Sequence, residues 1–95
     1  MAVARVVSFD GVTKDRAAEI GQQMQSGERR PEGVPATEIM MLHDAATESA
    51  MVILLFAGDE DYRRGDEALN AMPAADTPGR RTAVTRYEVI ARLTA

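Results

Sequence analysis

The chain has 95 residues, a net charge of −4 with its one histidine neutral, and neither cysteine nor tryptophan. This excludes disulfides, thiolate metal sites and a cysteine nucleophile, and argues against a nucleic-acid or anionic-membrane partner, which needs a basic face. No stretch is long and apolar enough to span a bilayer, and residues 1–9 lack a secretory signal pattern, so a cytoplasmic, single domain over residues 1–95 is expected.

Val3 to Phe9 reads as a strand, with Val3, Arg5, Val7 and Phe9 on one face and Ala4, Val6 and Ser8 on the other. Asp10-Gly11 turns the chain. Thr13 has the hydroxyl to cap a helix that runs to about Ser26. Ala17, Ile20 and Met24 form its apolar stripe, Gly21 beside them suggests close approach to a sheet, and Gly27 suits the C-cap. Glu28 to Pro35 is a loop containing the Arg29-Arg30 pair.

Thr37 to His43 reads as the second strand, and Asp44 to Ser49 as a hairpin connection. Ala50 to Ala57 is the third strand and the most apolar segment. Met51, Ile53 and Leu55 occupy one of its faces; Val52, Leu54 and Phe56 occupy the other. Gly58-Asp59 opens the second helix, where Asp59, Glu60 and Asp61 suit the positive end of the dipole. Tyr62, Leu69 and Met72, with Ala68, give its buried stripe, and Pro73 closes it. Met72 to Arg81 is a loop. The last strand is expected from Thr82 to Leu93.

The order is strand, helix, strand, strand, helix, strand, which predicts an α+β sandwich. Right-handed crossovers place the first and third strands together in the centre, read as parallel, with the second and fourth outside. A third strand apolar on both faces is covered on both. Two helices in so short a chain cover one face, so a second copy is expected on the other, making a homodimer.

With this element order, these lengths and that two-sided strand, the whole chain resembles the ferredoxin-like dimeric α+β barrel superfamily. The segment from Gly65 through Asn70, Met72, Pro73, Asp76, Thr77, Pro78, Gly79 and Arg80 to Tyr87-Glu88 is similar to a pattern in its small uncharacterised bacterial members. The resemblance implies a βαββαβ sandwich: a four-stranded antiparallel sheet, two helices on one face, and sheet-to-sheet pairing of subunits. It also implies a pocket between sheet and helices. The superfamily includes cofactor-free monooxygenases, haem-degrading enzymes, lactone isomerases and modules of unknown role. An aromatic content of 4% departs from the aromatic-lined pockets of the oxygenases and haem degraders.

Five residues are candidates for a ligand site. His43, the one side chain that ordinarily titrates near neutrality, is a candidate base or haem ligand, against a structural role beside Asp44. Arg86, Glu88 and Arg92 share a face of the expected last strand. If that face meets the barrel interior, the arginines can hold a carboxylate or enolate and Glu88 can take a proton, against an ion-pair ladder. Arg5 joins them if its face is the same. Tyr62, like Tyr87, can aim a hydroxyl into a pocket or simply pack in the core. Met40, Met41 and Met51 suit an adaptable pocket or ordinary packing. No metal-ligand spacing, phosphate loop or serine-nucleophile motif occurs, and no cofactor is expected. The functional expectation is a dimeric module for a small apolar or carboxylated ligand. The alternatives are a cofactor-free monooxygenase or isomerase, and a regulatory effector-binding module.

Overall fold

The computed structural model describes residues 1–27, 32–73 and 77–95, so the Arg29-Arg30 pair and the middle of the Met72–Arg81 loop lie outside the described residues. The elements are β1 (Val3–Asp10), α1 (Lys14–Ser26), β2 (Glu38–Asp44), β3 (Ser49–Phe56), α2 (Asp59–Asn70) and β4 (Arg80–Glu88). The four strands form one sheet in the order β2-β3-β1-β4. Every neighbouring pair is antiparallel, the central β1–β3 pair included. The expected parallel central pair is therefore corrected. Each crossover joins parallel strands that leave room for one strand between them, and that inserted strand runs the other way. This is the ferredoxin-like fold.

Local signals set the helix ends. The Thr13 hydroxyl accepts the Arg16 backbone N–H at 3.1 Å. Gly27 closes α1 in the left-handed conformation, φ 82°, donating its N–H to the Met24 carbonyl. Gly58 starts α2 without a side-chain cap, and the three acids of the first turn face the positive dipole end instead. Among the described residues, no helix is long and apolar enough to cross a membrane.

Register assigns the faces. Across β2, β3, β1 and β4, one row reads Ile39, Leu54, Arg5, Arg86, and the next Met41, Val52, Val7, Val84. These rows lie under the helices, because Arg5 pairs with Asp66 on α2. The core sits here: Val3, Val7, Phe9, Ala50, Leu54 and Phe56, joined by Val12 and Ile20. The opposite face carries Met40, Leu42, Met51 and Tyr87, which are 39%, 48%, 37% and 54% exposed.

The helices approach the sheet unequally. A Cβ on Gly65 of α2 would stand 2.5 Å from the Phe56 ring, so the missing side chain lets that helix settle on β3. A Cβ on Gly21 of α1 would meet no described atom within 4 Å. The close approach expected at Gly21 is thus made by Gly65.

β4 begins two residues earlier than expected and stops at Glu88. Val3, the first residue of β1, faces Glu88, so the ladder ends there. Val89 donates its N–H to the Ala2 carbonyl, and the tail turns away. Arg92, expected on β4, instead pairs with Glu38 on the far edge strand. A register slip between Ser8 and Phe9 leaves Thr82 without an opposite residue.

Candidate functional site

Arg5, Tyr62, Arg86 and Glu88 come together where α2 overlies β1 and β4. Arg5 and Arg86 are directly opposite, and Glu88 faces Val3 in the adjacent row. This face lies on the helix side of the sheet. Alternation from Val84 puts Arg86 and Glu88 on this side, whereas a barrel interior between two sheets would lie on the opposite face. Arg92 has left the strand and does not join them.

Arg5 is the one buried charged residue among those described, 2% exposed. Its Nε donates to Asp66 Oδ1 at 2.9 Å, and Nη2 donates to Asn70 Oδ1 at 3.1 Å. A buried guanidinium is tolerated only when its charge and its donors are met together, and α2 supplies both. Asn70 Oδ1 also accepts from Arg81 Nη1 at 2.9 Å. Two guanidinium groups thus share one neutral oxygen at the end of α2.

Tyr62 leans edge-on against Phe56, with ring centroids 5.6 Å apart and planes at 75°. The Arg86 guanidinium carbon lies 5.8 Å from the Tyr62 centroid, within reach of the electron-rich ring face. Arg86 also bonds Asp59 and stands 4.0 Å from Glu88. Burial, then the Asp66 charge, push the Tyr62 phenol above its ordinary pKa of 10.0, against the opposing pull of Arg5 and Arg86. The hydrogen bond to Asp59 holds Arg86 further above its already high value. At neutral pH the cluster therefore presents a phenol O–H beside two guanidinium ions.

His43 is not part of it. Three strand spacings and four residues separate its position from Arg86, about 20 Å between Cα atoms. Its Nε2 lies 2.8 Å from the Val12 carbonyl oxygen. Val12 is fully buried and donates its N–H to the Glu48 carbonyl at 2.7 Å. In this arrangement His43 holds the β1–α1 turn against the β2–β3 hairpin. Tyr87 pairs with Ala4 and sits on the helix-free face.

Asp66 and Asn70 were not among the candidate site residues of the sequence, Asn70 entering only as part of the resemblance. The signal was present: Tyr62, Asp66 and Asn70 follow one another at four-residue spacing, which stacks them on one helix face. Polar residues in the line of a half-buried tyrosine mark a polar partner on the sheet beneath. Among the described residues, no group of three His, Cys, Asp or Glu side chains is placed to hold a metal ion.

No protein-family model matches the chain, and no curated protein matches it. Solved structures do. The structure of Rv0793 from Mycobacterium tuberculosis superimposes with a TM-score of 0.56 at 11% identity, over 99% of this chain and all of that one. The crystal structure of a "putative antibiotic biosynthesis monooxygenase" from Deinococcus radiodurans superimposes with a TM-score of 0.50 at 12% identity, over 100% and 98%. At such identities the likeness establishes the βαββαβ fold over the full length of the chain.

Proposed function

We propose that this chain binds a small organic ligand bearing a carboxylate at the α2–β4 cluster, with Arg86 as the docking cation. Arg5 and Tyr62 form the wall behind it, and Glu88 stands at the rim. The observation that carries this reading is the placement of Arg86: exposed, set against an aromatic face, and held by exposed carboxylates. Exposed ion pairs are worth little, so a ligand carboxylate can exchange with Asp59 at small cost. Arg5, paired with Asp66, stays in place behind Arg86.

Benzoate and its neutral analogue benzamide test this by calorimetric titration. Benzoate is expected to bind more tightly than benzamide. Arg86→Gln is expected to weaken benzoate about 10-fold, since a charge-assisted hydrogen bond contributes roughly 1.5–3 kcal/mol. Equal affinity of the native protein and Arg86→Gln for benzoate would refute the assignment.

The likeness to the Deinococcus radiodurans protein described as a monooxygenase favours a second reading, oxygenation of a small organic substrate. A phenol kept protonated beside two guanidinium ions suits a site where an oxyanion develops. Dioxygen uptake on adding a dihydroxylated aromatic separates this from simple binding.

A second copy of the chain is proposed on the helix-free face, where four large apolar side chains stand exposed. Light scattering at micromolar concentration should give twice the chain mass, and Met51→Lys should halve it. A native protein of monomeric mass removes the proposal.

A further inference from the structure

The charges around Arg86 do not balance. Its Nη2 donates to Asp59 Oδ1, and Glu88 Oε1 stands 4.0 Å from its Nη1, beyond hydrogen-bonding reach. One guanidinium is thus flanked by two carboxylates, one at each end of its fork. The neighbouring Arg5 does not correct the excess, because Asp66 already neutralises it. Glu88 follows Arg86 on the same face of β4, and Asp59 comes from the start of α2, so the two acids reach Arg86 from different elements. Both are exposed, Asp59 at 77% and Glu88 at 55%. Among the described residues the Glu88 carboxylate has no other cation and accepts no hydrogen bond.

This arrangement suits a bare carboxylate poorly. An anion that takes Nη2 of Arg86 displaces Asp59 and then lies beside two carboxylates of its own sign. A ligand with an ammonium on the carbon next to its carboxylate turns both of them into partners. Its carboxylate pairs with the guanidinium fork, and its three N–H donors meet the open Glu88 and the displaced Asp59.

We infer that the α2–β4 cluster takes a small zwitterion of the α-amino-acid class, with Arg86 binding its carboxylate and Glu88 and Asp59 its ammonium. This ligand class extends the carboxylate reading of Arg86, on which it rests.

Calorimetric titration of the full chain with L-phenylalanine, and with 3-phenylpropanoate, which lacks only the ammonium, tests this. Phenylalanine should bind more tightly. Glu88→Gln should weaken phenylalanine roughly 5-fold and tighten 3-phenylpropanoate by a similar factor, the effect of one unit charge about 4 Å away in water. Arg86→Gln should weaken both. The Glu88 side chain is exposed, so its variant keeps the fold, and an unchanged Tm verifies that. Opposite signs for the two ligands are decisive, since loss of a merely structural ion pair shifts both alike. Two results overturn the zwitterion: phenylalanine no tighter than 3-phenylpropanoate, or both ligands moving in the same direction in Glu88→Gln. If 3-phenylpropanoate still depends on Arg86 in either case, the carboxylate reading stands alone. Loss of that dependence, or no binding of either ligand, removes both.

Discussion

Gly65→Ala is expected to lower stability by about 2 kcal/mol, a fall in Tm of roughly 10 °C for a domain of this size. The new methyl would stand 2.5 and 2.6 Å from two Phe56 ring carbons and 3.4 Å from Val34. Phe56 has nowhere to go: it is fully buried and pressed edge-on by Tyr62. Overpacking costs ~1–3 kcal/mol, a 2.5 Å approach to an immobile ring lies at the upper end of that range, and about 1 kcal/mol of gained helix propensity then offsets only part of it. Adding Phe56→Leu should recover stability in the Gly65→Ala background while destabilising the native one. A thermal melt of the four proteins in that cycle gives the coupling. If Gly65→Ala melts at or above the native temperature, α2 does not sit on β3 as described.

Asp66→Ala is expected to cost a similar amount, about 2 kcal/mol, for an electrostatic reason. It strips the carboxylate from Arg5, whose side chain is 3% exposed, while Asp66 itself is 35% exposed. Breaking a buried pair costs ~3–5 kcal/mol because the remaining charge cannot rehydrate, and the partial exposure of Asp66 reduces that figure. The two single substitutions should therefore differ. Arg5→Met leaves a carboxylate that water can reach, and its flexible side chain fills the space, so it should be the milder change. Combining the two should restore much of what Asp66→Ala removes. Urea titrations check the order, and a larger loss for Arg5→Met than for Asp66→Ala would contradict it.

Much of this fold was legible from residue order. Alternation in Val3–Phe9 and in the β3 residues gave the correct faces, and Thr13 and Gly27 marked both ends of α1. What failed did so for reasons outside any local window. The alternation of residues 89–93 is as regular as that of β4, but a strand needs a partner, and β1 offers none beyond Val3. Gly21 and Gly65 look alike in sequence. Only the opposing side chains, empty space in one case and Phe56 in the other, separate a glycine that opens a gap from one that closes it. Arg5, Tyr62, Arg86 and Glu88 were recognisable as chemically able residues. Their meeting depends on β1–β4 register, which periodicity does not fix, and His43 at the far corner had equal claim until register separated them.

The slip opposite Thr82 carries a meaning for charge. Successive side chains along a strand keep count like odd and even numbers, and in β4 the even residues Val84, Arg86 and Glu88 belong to α2's side. Thr82 adds one to that count. Beyond it the odd residue Arg81 falls opposite Phe9, and Arg80 falls opposite Asp10. One inserted residue thereby sorts two adjacent, chemically identical arginines. Arg81 is handed to Asn70 at the end of α2, and Arg80 to Asp10 at the opening of the first turn. Closing the slip with Thr82 kept in the ladder would set Thr82 opposite Phe9 and Arg81 opposite Asp10, and so rewire the charge of this edge without changing its composition.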